Sequence, residues 1–133
     1  MRDYNFKLHW NTAYKNSVKE NLGWFEDDIS ETFKLIQKCD LSKSSTIFNA
    51  GAGESLLIKK LQKNGYSNII INDISDVAIE KLKSSLDTLK GLNFIIDDLT
   101  NPDKLLKIED VDLWHDRAVL HFFINLNQQK TYF

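Results

Sequence analysis

The residues best suited to chemistry form the segment Ile47-Phe48-Asn49-Ala50-Gly51-Ala52-Gly53-Glu54-Ser55. Glycines in such a turn let the backbone bend sharply and approach a ligand with no Cβ in the way. A helix starting behind them would offer N–H groups that have no partner of their own. Two glycines in a turn also suit a purely structural role, so a second signal is needed. Asp73 supplies it: it stands 20 residues after Gly53, at the end of an apolar run. A carboxylate in that position can accept both hydroxyls of a ribose. The plain alternative is a turn or cap residue before Ser75. A dinucleotide fingerprint would place a third glycine at position 56, where Leu56 stands. That departure speaks against a pyrophosphate and for a nucleoside ligand without phosphates.

These residues need a frame. Thr46-Ile47-Phe48-Asn49 reads as a short buried strand, Asn68-Ile69-Ile70-Ile71-Asn72-Asp73 as a second, Leu92-Asn93-Phe94-Ile95-Ile96-Asp97 as a third and Val111-Asp112-Leu113-Trp114-His115 as a fourth. Continuous apolar runs of this kind belong to strands covered on both faces. Between them lie helical patterns: Leu56, Leu57, Ile58 and Leu61 after Ser55, then Ala78, Leu82, Leu86 and Leu89 up to Gly91. Leu105, Leu106 and Ile108 fit a short helix or coil, and residues 118–123 the start of another helix. Upstream, Trp10, Tyr14, Val18 and Leu22 mark one helix ending near Gly23, and Ile29, Phe33 and Ile36 a second with Asp27, Asp28 and Glu31 in its first turn. Strands alternating with helices predict βαβ units, a parallel sheet and right-handed crossovers. The expected class is α/β, a single domain with a helical cap over 1–42 and the βα units over 43–133.

In such a sheet, ligands bind outside the carboxyl ends of the strands. All four strand ends carry polar groups here: Asn49, Asp73, Asp97 with Asp98, and His115 with Asp116. Solubility explains any one of them more easily than all four.

Composition bounds the rest. The chain has 133 residues, 42% hydrophobic and 27% charged, enough to bury about two-thirds of its unfolded surface. Seventeen Lys and Arg against nineteen Asp and Glu give a net charge of -2, with no basic field for nucleic acid. One cysteine, Cys39, excludes an internal disulfide framework and reads as a small apolar filler near a helix end. The three histidines, His9, His115 and His121, are too dispersed for a metal site. No stretch approaches 18 apolar residues and the first residues have no signal-peptide core, so the expectation is a cytoplasmic protein with no membrane partner.

With these residues in place, the sequence resembles the class I S-adenosylmethionine-dependent methyltransferases. It is most similar to small bacterial members that share His9-Trp10-Asn11-Thr12-Ala13-Tyr14, followed by Leu22-Gly23-Trp24-Phe25-Glu26. The glycine turn corresponds to the family's first motif, Ile71-Asn72-Asp73-Ile74-Ser75 to the acidic end of strand two, and Asp97-Asp98-Leu99-Thr100 to the adenine-side acidic motif. The most specific match is Val111-Asp112-Leu113-Trp114-His115-Asp116-Arg117-Ala118-Val119, which resembles the strand-four signature. The resemblance runs from His9 to about Phe123.

It implies a Rossmann-like three-layer sandwich with strand order 3-2-1-4 and S-adenosylmethionine as cofactor. Asn49, Gly51, Ala52 and Gly53 would pass under its methionine part, and Asp73 with Ile74 would hold the ribose. Asp98 and the backbone at Leu99 would face adenine, and Trp10, Tyr14 and Trp24 would close over the ligand from the N-terminal helices. Asp116 would line the transfer site, with His115 as proton acceptor and Arg117 as substrate clamp. The plain reading of His115 and Arg117 is a strand cap and a carboxylate partner, and Trp114, Phe122 and Phe123 read as core. The family often has an acidic residue where Asn49 stands and a glycine where Ser55 stands.

The family's sheet has seven strands, so on this resemblance strands five to seven are expected to be missing after Phe133. The chain therefore reads as a methyltransferase, or its cofactor half, acting on an unidentified small-molecule or protein acceptor. The competing reading is a non-catalytic cofactor-binding or oligomerisation module left by truncation. The fourth strand would be an open, apolar edge, a template for a homodimer in which strand four pairs with its own copy. Alternatively, the tail from Leu126 to Phe133 folds back and covers that edge in a monomer.

Overall fold

The computed structural model describes residues 5–16, 29–52, 56–116 and 125–133. Helix α1 (Phe6–Asn16) and helix α2 (Ser30–Gln37) precede strand β1 (Ile47–Ala50). Helix α3 (Leu57–Lys63), β2 (Ile69–Asp73), α4 (Asp76–Ser85) and β3 (Leu92–Ile96) follow. A 3-10 helix (Lys104–Lys107), β4 (Leu113–Asp116) and α5 (Leu126–Tyr132) complete the order.

The described strands form a four-stranded sheet in the order β3-β2-β1-β4, and every pairing is parallel. This is the order that the resemblance implies, and the parallel pairing is what the alternating pattern predicts. Every residue of the two central strands is buried, while β3 and β4 at the edges are only partly so. That contrast explains why β2 is the most continuous apolar run in the sequence: both its faces are covered.

The two faces differ in how they are covered. Ile47, Ile69 and Ile71 point to one face and pack with Leu57, Ile58 and Leu61 of α3, Ile79 and Leu82 of α4, and Phe33 and Ile36 of α2. Phe48, Ala50 and Ile70 point to the other and meet Ile95 and Leu105 of the 3-10 helix. The crossovers β1-α3-β2 and β2-α4-β3 step in one direction along the sheet. The connection from β3 to β4 must return past both, and a right-handed return puts it on the opposite face. The order therefore reverses between β1 and β4, and the crevice at their carboxyl ends is the place where a doubly wound sheet takes a ligand.

Several expectations are corrected. The helix expected to run to Gly91 stops at Ser85, and Leu86 is already extended (φ -99°, ψ 139°). Ser84 and Ser85 turn their hydroxyls back on the carbonyls of Glu80 and Leu82, which competes with continuing the helix. Gly91 belongs to the next turn, at φ +78°, where a Cβ would lie 2.8 Å from the Ser67 carbonyl oxygen. Strand β4 begins at Leu113 rather than Val111 and includes Asp116. Cys39 is exposed, not a filler. It lies past the end of α2, whose buried positions are taken by Phe33 and Ile36. Trp114 is 40% exposed, although its ring stacks on Phe48 with centroids 4.0 Å apart. Val18, Leu22, Asp27, Asp28, His121, Phe122, Phe123 and the helix expected over 118–123 lie outside the described residues.

Candidate functional site

The carboxyl end of β1 passes into a turn at Gly51, whose φ of +55° is left-handed and favours glycine. Two bonds tie this turn to the neighbouring strand: Gly51 N–H donates to the Asn72 side-chain oxygen (3.3 Å) and Ala52 N–H to the Asn72 carbonyl (2.8 Å). The Asn72 amide nitrogen reaches the other way, donating to the carbonyls of Ile95 (3.2 Å) and Asp97 (3.1 Å). Asn72 is 1% exposed and staples the ends of β1, β2 and β3 into one platform. Sequence reasoning passed over it as one more polar residue beside Asp73.

Asn49 is buried nearly as deeply, at 2% exposed, yet its side-chain nitrogen has no hydrogen-bond partner among the described residues. A buried donor left in that state is unfavourable unless something else meets it. Asp73, 5% exposed, accepts the Ser75 N–H at 2.9 Å on its Oδ1. By strand alternation, Asn49, Asp73 and His115 share the face covered by α3 and α4, and His115 stands directly across from Asn49 in the register. Asp116, paired with Ala50, belongs to the opposite face. The structure thus separates His115 from Asp116, which the sequence read as neighbours in one proton-handling group.

The two acids after β3 also part company. Asp97 accepts N–H groups from Asp98, Asp103 and Leu105, each at 2.9 Å, and so fastens the loop into the 3-10 helix. Burial pushes its carboxyl up, but the N–H groups of Leu105, Asp103, Asp98 and Lys104 together outweigh that and hold it below the usual aspartate value. Asp98 binds the N–H and hydroxyl of Thr100 through one oxygen, Oδ1, at 2.8 and 2.7 Å. Leu99 packs toward the core beside Leu105.

Asp116 is met by the C-terminal helix. The Tyr132 hydroxyl donates to Asp116 Oδ2 and accepts from the Trp114 indole N–H at 2.8 Å. Burial first, and then the bond to Asp116, push the Tyr132 hydroxyl far above its usual value, so it stays a proton donor.

From the N-terminal side, α1 packs on the start of α4. Tyr14, 4% exposed, and Ala78 form a small core with Trp10 and Val77 at its margin. The Lys81 ammonium donates to the Tyr14 carbonyl. Ile74 is half-buried between Asp73 and the α4 cap. Trp24, Gly53, Ser55 and Arg117 lie outside the described residues. A groove of about 380 Å³ lined by Thr46, Asn68, Asn93 and Lys107 lies under the amino ends of the strands, away from this cluster. Among the described residues no three His, Cys, Asp or Glu side chains are grouped to hold a metal, and no helix is long and apolar enough to cross a membrane.

The comparisons with known proteins fit this geometry. A solved structure concerned with converting a disulfide bond into a thioacetal group during echinomycin biosynthesis superposes with a TM-score of 0.74 at 20% identity, over 96% of this chain and 53% of that one. A TehB-like SAM-dependent methyltransferase from Corynebacterium glutamicum gives 0.65 at 17% identity, over 95% of this chain and 62% of that one. The fold is therefore that of the Rossmann-like, class I methyltransferases. In sequence, the chain is 28% identical over 115 residues to the zebrafish (Danio rerio) protein named EEF1A lysine methyltransferase 2, covering 79% of this chain and 49% of that protein. The chain thus spans about half the length of this curated relative. No protein-family model matches it.

Proposed function

We propose that the chain binds S-adenosylmethionine and belongs to a methyltransferase whose acceptor is a lysine side-chain amine. The observation that carries the cofactor is the buried Asn49 amide, whose nitrogen has no partner among the described residues, beside the left-handed Gly51 turn and one strand from the buried Asp73. A polar nucleoside ligand satisfies both: a donor group awaits an acceptor, and a carboxylate stands where ribose hydroxyls arrive. Asn49, Gly51, Ala52 and Gly53 hold the methionine part, Asp73 and Ile74 the ribose, and Asp98 with the Leu99 backbone the adenine. Trp10, Tyr14 and Trp24 close the site from the N-terminal side. The lysine acceptor is supported by the name of the zebrafish relative and by the chemistry of the Asp116 end of β4.

The cofactor supplies an electrophilic sulfonium methyl group. To accept that methyl group, an amine would have to be deprotonated and held in line with it, which is what the residues at the end of β4 would provide. A carboxylate held by a neutral tyrosine, as Asp116 is by Tyr132, binds and orients an ammonium group before that proton leaves. Arg117 completes the transfer side as clamp; His115 stands across from Asn49 on the other face of β4, so it is not the proton acceptor for a group held by Asp116.

The test is titration calorimetry with S-adenosylmethionine and its demethylated product, followed by methylation of lysine peptides read by mass spectrometry. Heat with both ligands is expected; no binding of either at millimolar concentration refutes the reading. The place of β4 at the edge of the described sheet is consistent with a homodimer, while the bonds of Tyr132 in α5 to Trp114 and Asp116 favour the alternative in which the tail from Leu126 to Phe133 folds back onto β4 in a monomer. Sedimentation near 31 kDa, twice the 15.4 kDa chain, bears out the dimer, and a single 15 kDa species rules it out. A cytoplasmic location rests on the single, exposed thiol of Cys39.

A further inference from the structure

The N-terminal helix reaches the nucleoside acid through a continuous set of hydrogen bonds. The Asn11 side-chain oxygen accepts the hydroxyl of Ser75 at 2.6 Å, and its amide nitrogen donates to Asp76 Oδ1 at 2.8 Å. Ser75 is wholly buried and holds two other groups at once. Its hydroxyl accepts the Ala78 N–H (3.1 Å), capping α4, and its own N–H donates to Asp73 (2.9 Å). One serine therefore sets the start of α4 and one oxygen of the Asp73 carboxylate, and its hydroxyl is oriented by a residue 64 positions earlier. Lys7, 4.0 Å from Asp76, adds a weaker tie from the same helix.

The arrangement has a direction. A serine hydroxyl has one proton, and donating it to Asn11 leaves the lone pairs facing the Ala78 N–H. Without Asn11 the hydroxyl is free to rotate away from the Ala78 N–H, the cap loosens, and the backbone of Ser75, whose N–H meets Asp73 Oδ1, is held less firmly. Bidentate recognition of two adjacent hydroxyls depends on how the Asp73 carboxylate is held. Residues that touch no ligand but fix those that do can change affinity severalfold.

We infer that Asn11 is a positioning residue for ribose recognition, acting through Ser75 on Asp73, so that docking of α1 sets how well the site distinguishes a ribose from a deoxyribose. The inference rests on the proposed cofactor reading, and the experiment separates the two. Calorimetry compares S-adenosylhomocysteine with its 2′-deoxy analogue on the full chain and on three variants. Asp73→Ala should lose ribose discrimination almost completely; if its affinity for S-adenosylhomocysteine is unchanged, the ribose assignment of Asp73 and the inference fail together, whereas no binding by the parent chain refutes the cofactor reading itself. Asn11→Ala should bind S-adenosylhomocysteine about 3- to 10-fold more weakly while its affinity for the deoxy analogue stays near that of the parent chain. Equal losses for both ligands would make Asn11 a packing residue only, and no loss for either would sever the link; both overturn the inference. Asp76→Ala removes the second anchor of Asn11 from an exposed position. It should shift discrimination the same way by about 2-fold, which keeps the test decisive should Asn11→Ala fold poorly.

Discussion

Asn49 and Asn72 are two buried asparagines at the carboxyl end of adjacent strands, and they are used in opposite ways. Asn72 spends its oxygen on the Gly51 N–H and its nitrogen on two carbonyls of the β3 end. Asn49 keeps a buried nitrogen with no partner among the described residues. The same side chain thus serves as a structural staple in one strand and as an unfilled donor in the next. Burial alone does not mark a functional residue; burial without a partner does, because folding alone gives no return for it.

The comparison can be broken in four ways. The largest effect is expected at the acid that completes the open side. Asp73→Ala should weaken S-adenosylmethionine binding by about 2 to 4 kcal/mol, some 30- to 1000-fold, by calorimetry on a variant that remains folded. Next comes the staple. Asn72→Ala removes three side-chain hydrogen bonds, one buried and two partly buried, and strands the Gly51 N–H, so unfolding in urea should show a loss of about 2 to 4 kcal/mol, with the thermal midpoint down by about 10 °C. A loss below half a kcal/mol would mean the platform is held by its backbone alone.

Asn49→Leu sharpens the contrast. Replacing an unpaired buried donor by an apolar group of similar shape should change stability by less than about 1 kcal/mol, while cofactor affinity falls about 5- to 20-fold. If stability instead falls as far as in Asn72→Ala, the two asparagines are alike and the open-donor argument is lost.

The smallest effect concerns Asp97, which fastens the loop beyond the staple. Its carboxyl titrates below the ordinary 3.8 in the folded chain, so between the folded and unfolded values the unfolded chain binds more protons. Its stabilisation is therefore complete above about pH 4 and is lost as the pH falls through the lower, folded value. Asp97→Asn should flatten the stability profile in that acid range, and an unchanged slope there would remove Asp97 from the acid response.

Much of the frame was legible beforehand. The apolar runs ending in Asn49 and Asp73 marked the central strands, because these are buried on both faces and leave no polar alternation to confuse them; the run ending in Asp97 marked an edge strand that is only partly buried. Element ends were less legible. The periodicity of Leu82, Leu86 and Leu89 continued a helix past Ser85, but Leu86 is extended and Leu89 is exposed, since the chain must turn at Gly91 against Ser67. Asn72 and Asn11 gave no signal of their own. Their partners lie 21 to 25 and 64 residues away, and only the folded chain brings them alongside.

By itself, the sequence determined which residue types stand at the carboxyl end of each strand, because hydrophobic periodicity and the glycine turn are local properties. It determined the α/β class with a parallel sheet, and its resemblance to the class I methyltransferases supplied the strand order. Tertiary structure alone decided the rest. Pleat alternation sends His115 and Asp116 to opposite faces. Contact with the C-terminal helix gives Asp116 to Tyr132, and packing of α1 on α4 ties Asn11 to Ser75. The registration of three strand ends closes Asn72 and leaves Asn49 open. Each of these is a relation between distant segments, and hydrogen-bond satisfaction is settled only when those segments meet.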